Sequence, residues 1–411
     1  MKTKSALNYL LPIGAAAFAL AMVVYPELSM QAAVKGLKLW WDIVFPALLP
    51  FFVASELMMG LGVVHFMGVL LEPLMRPLFN VPGVGSFVLA MGFASGYPIG
   101  AVLTGKLRTQ GLVSKTEGER LMSFTNTSDP LFMAGAVAVG MLGRADLAGL
   151  IIGAHYLAGL STGLVLRFYK WRSGDRVDPI TTGGTEGNIL VRAVRAMNRA
   201  RKEDGRPFGD ILGDAVRNSV NTLLLVGGFI IVFSVLIRLL SACGAIDYIS
   251  GLVAIVLRPL GFDAHAVQPL VAGLFEITIG CEMAAQSALP VAQKVILTSA
   301  IIAWSGLSVH AQVAAVVKGT DLAVAPYTAS RVLHGAFAGF WSWVLMSRSA
   351  PAMARLVSPF LLQTELTSPL AWIARLGLFS QRLLVTLGLM ALAAAAVGLI
   401  RSVRIIALRV K

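Results

Sequence analysis

Long apolar runs without a charged residue recur along the chain, and short polar segments separate them. Each run is close to the roughly 17 to 25 residues that a helix needs to cross the hydrocarbon core of a bilayer. An isolated strand cannot satisfy its backbone polar groups in lipid, so the pattern predicts transmembrane helices. The uncharged runs are residues 5–26, 84–105, 147–166, 220–237, 295–317 and 383–400.

Composition supports an all-α, polytopic membrane protein. Of the 411 residues, 57% are hydrophobic and 13% are charged, about half the charged fraction of a usual soluble domain. The mean hydropathy is +0.78. The first apolar run is longer than the roughly 7 to 15 residues of a secretory signal core, which predicts a retained helix.

The net charge of +13 does not indicate a nucleic-acid partner. A nucleic-acid-binding protein concentrates basic residues on a folded soluble module, whereas here they lie in short loops and at the ends of apolar runs. Basic loops mark the cytoplasmic side of a membrane protein. We therefore expect residues 170–214 and 401–411 to be cytoplasmic.

The hydrophilic stretch 170–214 divides the chain into halves that resemble each other. LGVVHF at 61–66 aligns with CGAIDY at 243–248, and FTNTSDP at 124–130 aligns with WSGLSVH at 304–310. MRPL at 75–78 likewise aligns with LRPL. Weak internal symmetry around a polar linker is typical of transporters, so the sequence predicts two pseudo-symmetric repeats.

This organisation gives five predicted parts. They are an N-terminal transmembrane helix (1–30), a first membrane repeat (31–169), a basic cytoplasmic linker with an amphipathic helix (170–214), a second membrane repeat (215–348) and a C-terminal segment with a last transmembrane helix (349–411).

The linker contains a basic amphipathic pattern. One helical face holds Arg192, Arg195 and Arg199, and the other holds Val191, Val194 and Met197. Such a helix can lie on anionic lipid. A loop that only fixes orientation is the alternative.

Glycine or proline interrupts apolar segments at corresponding places in the halves, at residues 92–101, 123–132, 273–283 and 304–313. These residues weaken or break a helix, and the freed backbone groups need protein, water or a ligand as partners. Such breaks in two repeats indicate a binding site at the bilayer midplane. We therefore expect broken or re-entrant helices.

The segment MSFTNTSDPLFMAG places Asp129 and Pro130 between apolar flanks. An aspartate at the centre of a membrane helix costs roughly 2.5 to 3.5 kcal/mol, so Asp129 should face a polar cavity, where Asn126 and its neighbours satisfy it. A loop at the membrane surface is the alternative, because SKTE at 114–117, a capping-box pattern, lies close by.

Other buried polar residues extend the candidate site. Glu276 and Glu282 flank an expected break at Gly280, and His310 lies in a broken segment. His155 is expected to be a hydrogen-bonded core residue whose replacement matters far less. The candidate solute-binding residues are Ser95, Tyr97, Thr125, Asn126, Ser128, Asp129, Glu276, Glu282, Ser305, Ser308 and His310.

Enzymatic chemistry is not expected. The chain has two cysteines, without metal-ligand spacing or a disulfide framework, and no credible arrangement of nucleophile and base. We therefore predict no catalytic residues, no metal site and no cofactor.

The run at 45–101, with ASGYPIGA, and its continuation ERLMSFTNTSDPLFMAGAVAVGML closely resemble the sporulation integral membrane protein YlbJ family, over about residues 40–347. Those proteins carry the Gate, or nucleoside-recognition, domain. The resemblance implies a multi-pass inner-membrane protein of spore formers, at the membranes around the developing spore, that is needed for the spore cortex. The Gate domain is also similar to part of the concentrative nucleoside transporters, which have broken helices and re-entrant hairpins.

Two functions remain open at this point. The first is a transporter-like translocase of a polar or amphipathic solute, such as a lipid or lipid-linked precursor. The second is a non-transporting scaffold for spore-envelope assembly. The expected partners are the bilayer, an unknown solute or lipid headgroup, anionic lipids at the linker, and further copies of the chain in a homo-oligomer.

Overall fold

The structure, a computed structural model, describes residues 2–178, 188–257 and 264–348. Within these ranges the chain is helical and contains no strand. The α-helices are α1 (Lys2–Val24), α2 (Pro26–Leu39), α3 (Phe45–Gly60), α4 (Val63–Phe79), α5 (Gly85–Ser95), α6 (Ile99–Thr109), α7 (Lys115–Thr125), α8 (Ala148–Leu166), α9 (Ile189–Asp204), α10 (Phe208–Ala242), α11 (Ala245–Leu257), α12 (Ala264–Phe275), α13 (Ile277–Gln286), α14 (Val291–Trp304), α15 (Gly306–Val316) and α16 (Val324–Arg348). Two segments are π-helical, Trp40–Val44 and Phe132–Met141.

The membrane-spanning character of the chain is borne out. Among the described residues, three helices are long and apolar enough to cross a membrane, namely Ala145–Leu166, Phe208–Ala242 and Val291–Val316. Two bent pairs raise this number to five if each pair counts as one span. The protein is therefore an all-α, multi-pass membrane protein.

Two of the predicted apolar runs are not single straight helices. The run 84–105 is divided between α5 and α6, which meet at Gly96–Pro98. The first run ends where α1 and α2 bend by 103°. The run at 383–400, residues 401–411 and the rest of the C-terminal part at 349–411 lie outside the described residues.

Corresponding helix ends support the alignment of the halves. Gly62 follows α3 with a φ of 79°, and Gly244 follows α10 with a φ of 74°, so LGVVHF and CGAIDY make the same left-handed turn. The second aligned pair agrees to within one residue, since α7 ends at Thr125, which aligns with Ser305, and α14 ends at Trp304. The boundaries of the five parts remain a prediction.

The centre of the fold joins the halves. In the first half, α5 and α6 pack against α7, and in the second, α12 and α13 pack against α14. Helices α8 and α16 pack against each other and against both α7 and α14. The interrupted segments of both halves therefore share one interior.

The N-terminus of α7 forms the capping box that the sequence predicts. The Ser114 hydroxyl accepts the Glu117 amide at 3.2 Å, and the Glu117 carboxylate accepts the Ser114 amide at 2.9 Å. This cap fixes the start of α7. The helix ends eleven residues after Ser114, at Thr125, which is buried inside the protein.

The linker helix α9 packs against α4 through two small residues. Ala193 and Ala196 are buried against α4, whereas Val191 and Val194 are exposed. Small side chains face α4 because they allow close helix packing, which leaves the larger apolar residues beside the basic face. Contact of α9 with anionic lipid stays a prediction.

Candidate functional site

In the first half, the break between α5 and α6 lies directly against the break after α7. Gly96 has a φ of 81°, a left-handed conformation that side chains rarely adopt. A Cβ at this position would lie 2.7 Å from Oδ2 of Asp129 and 3.0 Å from its amide nitrogen. The two backbones can approach this closely only because residue 96 is glycine.

The second half repeats this contact with the roles exchanged. Gly306, with a φ of 68°, lies at the break after α14, and a Cβ there would lie 2.9 Å from the carbonyl oxygen of Phe275. Glu276 forms the break between α12 and α13. In each half, therefore, a glycine in one broken segment packs against an acidic residue in the other.

Both acidic residues begin a new helical segment. Oδ1 of Asp129 accepts the Phe132 amide at 2.8 Å. Oε2 of Glu276 accepts the Ile279 amide at 2.9 Å, and its Oε1 accepts the Thr278 hydroxyl at 3.1 Å. A carboxylate at a helix N-terminus accepts otherwise unpaired amides and interacts favourably with the helix dipole.

Tyr327 of α16 connects the two halves. Its hydroxyl accepts a hydrogen bond from Nδ2 of Asn126 at 3.0 Å and lies 3.2 Å from Oγ of Ser305. Ser305 is a non-glycine residue with a φ of 72°, a strained conformation of the kind that persists at binding sites. One side chain thus bridges the break after α7 and the break after α14.

Further contacts hold the same centre together. The hydroxyl of Tyr97 donates to the carbonyl of Ile302 at 3.0 Å, which joins the α5–α6 break to the end of α14. His310 packs between Trp304 and Tyr327, with ring centroids 4.6 and 5.2 Å away. Its Nδ1 lies 2.7 Å from the carbonyl of Gly306, while its Nε2 is buried without a hydrogen-bond partner.

Arg331 is a cation in the interior of the protein. Its side chain is fully buried, and its guanidinium donates to the carbonyl oxygens of Asn126, at 2.9 Å, and Ser123. It also lies 4.9 Å from the ring centroid of Tyr327. Within the described residues no carboxylate lies within ion-pair distance, and Nε has no hydrogen-bond partner.

Helix α8 supports the first break from the other side. Nε2 of His155 accepts the Ser128 amide at 3.0 Å, and the Tyr156 hydroxyl donates to the carbonyl of Phe93. The ring of His334 lies 4.8 Å from that of His155. His155 is a hydrogen-bonded core residue, as expected, and it directly contacts the broken segment.

Three expectations about the acidic residues were wrong in detail. Asp129 is satisfied by a helix N-terminus and not by Asn126, whose amide is bonded to Tyr327. The second-half break lies at Glu276 and not at Gly280. Gly280 lies inside α13, where it packs closely against Gly273. Glu282 lies outside the central cluster, with its carboxylate 3.7 Å from Nζ of Lys35.

The other candidates are buried near the breaks but differ in their contacts. The hydroxyl of Thr125 donates to the carbonyl of Leu121 at 2.7 Å, within its own helix. Ser95 is buried, and its hydroxyl has no hydrogen-bond partner. Ser308 lies buried in α15. A binding role for the candidate residues stays a prediction.

Sequence reasoning missed the contribution of α16. Tyr327, Arg331 and His334 are spaced by four and three residues, which places them on one face of a helix. An arginine on that face of an otherwise apolar helix is the signal that could have identified them.

Comparison with known proteins gives the family of the chain. The model of the Gate family, described as nucleoside recognition, matches residues 42–145 and 223–321, one segment in each half. The chain is 45% identical over 342 residues to the sporulation integral membrane protein YlbJ of Bacillus subtilis (strain 168), and the match covers 83% of each chain. The chain therefore belongs to the YlbJ family of sporulation integral membrane proteins.

Proposed function

We propose that this protein is a transporter-like translocase and that the cluster around Tyr327 binds its solute. The observation that carries the proposal is the meeting of two broken helices at one side chain, since Asn126 and Ser305 both contact the Tyr327 hydroxyl. Broken helices that meet between repeats bring backbone and side-chain polar groups to a solute in the membrane interior. A protein that acts only as a scaffold has no need for this arrangement.

Arg331 favours a solute with an acidic group. A buried charge is costly unless it is paired, and the partners of Arg331 are uncharged: carbonyl oxygens, the Tyr97 hydroxyl and the ring of Tyr327. These groups contact part of the guanidinium, whereas its Nε has no hydrogen-bond partner. Asp129 and Glu276 are each engaged by a helix N-terminus, so they do not neutralise it.

The aromatic side chains of the cluster favour a solute of a particular shape. Tyr97, Trp304, His310 and Tyr327 surround the broken segments, and His310 holds an unpartnered ring nitrogen. A small, planar solute with a carboxylate or phosphate group would use both the rings and the guanidinium. We further propose that the protein transports without catalysing a reaction.

Uptake by proteoliposomes tests this function. The full chain would be reconstituted and supplied in turn with aliphatic carboxylates, aromatic carboxylates, glycerol 3-phosphate and uridine. We expect an acidic compound to accumulate in protein-containing vesicles and uridine, which is neutral, to be excluded. Movement of uridine alone would overturn the preference for acids.

Arg331→Gln and Arg331→Lys separate charge from structure. We expect the glutamine variant to lose uptake and the lysine variant to retain part of it, because lysine keeps the charge but not the fork of donors. Arg144→Gln is the control, since Arg144 is exposed and paired with Asp146. If no compound moves while a sporulation protein is captured specifically, the scaffold function replaces this proposal.

A further inference from the structure

The first part of the linker, residues 169–177, lies across the start of α7 and is called the strap below. It follows α8 and bonds to the first turn of α7. The Ser114 hydroxyl donates to the carbonyl of Asp175 at 2.9 Å, and Oδ2 of Asp175 accepts the Thr116 amide at 3.0 Å. The strap is therefore paired with the helix whose other end forms the first break.

Glu119 of α7 joins the strap to the second half of the protein. Its side chain is fully buried. Oε2 accepts the Tyr169 hydroxyl at 3.0 Å and the Lys170 ammonium at 3.1 Å. Oε1 accepts the amide of Ala323 at 3.2 Å, in the segment that leads into α16. A buried carboxylate needs such donors, so the strap, α7 and the start of α16 meet at one group.

The Tyr327 cluster lies close to this meeting point. Tyr327 is four residues after Ala323, a rise of about 6 Å in a helix. Asn126 is seven residues after Glu119, a rise of about 10 Å. The strap is thus attached to the starts of the two helices that carry the Asn126–Tyr327 contact.

The contacts of the strap are mainly polar, and it can come away without exposing a hydrophobic core. None of its residues is buried, and segments with few buried apolar contacts open most easily. Lys170 has a φ of 46°, a strained conformation that persists only while neighbouring contacts hold it. Release of the strap would relieve this strain.

A second contact ties the same side of the two halves together. The guanidinium of Arg108, at the end of α6, donates to both carboxylate oxygens of Asp321 at 2.8 and 3.0 Å. This pair is partly exposed, and such pairs contribute little to stability. Glu119 is therefore the stronger attachment, and the exposed pair can separate at little cost.

We propose that the strap closes the linker side of the Tyr327 cluster and is released when the solute passes. Glu119 is a positioning residue in this device, because its carboxylate contacts the strap and the start of α16 and not the cluster. The inference rests on the proposed transport function, but opening of the strap can be measured without any solute.

Thiol labelling of the purified full chain measures this opening. Ser308→Cys, combined with Cys243→Ser, places a reporter in α15, where Ser308 is 3% exposed. The chain with Cys243→Ser alone gives the background. Tyr169→Phe with Lys170→Gln removes two donors to Glu119. We expect a water-soluble maleimide to label the reporter about tenfold faster in this double variant, because hydrogen bonds to a charged group hold the closed state.

Arg172→Gln is the matched control for the labelling. Arg172 lies on the strap, is exposed and lies over the ring of Trp171 and not against Glu119. An unchanged labelling rate in the double variant, or an equal rise with Arg172→Gln, would overturn the strap. If the double variant aggregates on size-exclusion chromatography, Lys170→Gln alone is decisive, because Lys170 is exposed.

A crosslink separates the strap from the proposed function. Thr116→Cys with Asp175→Cys, combined with Cys243→Ser, places two thiols where the strap contacts α7. We expect the disulfide, once detected by mass spectrometry, to stop uptake by proteoliposomes, and a reductant to restore it. Full uptake by the crosslinked protein would overturn the strap and leave the transport function standing. Faster labelling in the double variant without uptake of any tested compound would overturn the transport function alone.

Discussion

The side-chain amide of Asn126 lies 3.0 Å from the hydroxyl of Tyr327, although 201 residues separate them in the chain. This hydrogen bond joins a broken helix of the first half to the last described helix of the second half. The two halves therefore contribute to one buried cluster, which neither half could form alone.

The phenol of Tyr327 is the simplest part of this cluster to alter. Tyr327→Phe removes the group between Asn126 and Ser305 and leaves buried polar groups unsatisfied, at a cost of about 1 to 3 kcal/mol. We expect uptake to fall on the order of tenfold while the protein still inserts. Tyr248→Phe is the control, since Tyr248 is 71% exposed. Equal uptake by both variants would contradict the prediction.

Asp129 combines a charge with a helix cap, and two substitutions separate them. Asp129→Ala loses both, whereas Asp129→Asn keeps a side chain that caps well. We expect both variants to insert, only the alanine variant to lose about 0.5 to 2 kcal/mol of stability, and both to lose function. Complementation of a Bacillus subtilis strain without its YlbJ is the measurement. Normal spores at normal protein levels with Asp129→Ala would refute the role.

Gly96 tests the close contact between the two broken segments. Gly96→Ala combines left-handed strain of about 1 to 2 kcal/mol with a clash against Asp129, worth about another 1 to 3 kcal/mol. Gly143→Ala isolates the first effect, because Gly143 has a φ of 64° and no atom within 4 Å of a Cβ. Thermal unfolding in detergent should show the larger loss for Gly96→Ala. Similar losses would mean that the contact is loose.

His155 stabilises the break without being placed to bind the solute. His155→Leu removes the acceptor of the Ser128 amide and should lower stability by about 1 to 3 kcal/mol. We expect uptake per folded molecule to change less than with Asp129→Ala. Unchanged thermal stability would show that the Ser128 amide has another partner.

Cysteine labelling of intact cells tests the orientation. Asn198 lies on α9, which we expect to be cytoplasmic because the linker is basic, and Ala145 lies just before α8, at the end of that helix away from the linker. Both are exposed. With Cys243 replaced by serine and Cys281 buried, an impermeant reagent should label Ala145→Cys and spare Asn198→Cys. The reverse pattern would invert the topology.

Much of the fold could be predicted because its signals are local. Apolar runs indicated the membrane helices, the Ser114 capping box gave the start of α7, and the paired Gly62 and Gly244 turns were visible as aligned motifs. Glycine and proline also located the α5–α6 break and the segment after α7.

The details of the site depended on contacts between distant residues. Gly280 resembled a break, but glycine serves there to let α13 approach Gly273, and the real break at Glu276 contains neither glycine nor proline. The carboxylate of Asp129 accepts the amide of Phe132 at a helix N-terminus, a contact that only the folded structure reveals. The role of Tyr327 was missed because its partners belong to both halves.

The long separation between Arg331 and Asn126, 205 residues, has a consequence for how the protein is made. During synthesis, the end of α7 enters the membrane well before α16 has left the ribosome. Until then the carbonyls of Ser123 and Asn126 lack their guanidinium donor, and backbone groups without hydrogen-bond partners are costly in lipid. The first half should therefore stay beside the translocon, or close to water, until the last described helix arrives and completes it.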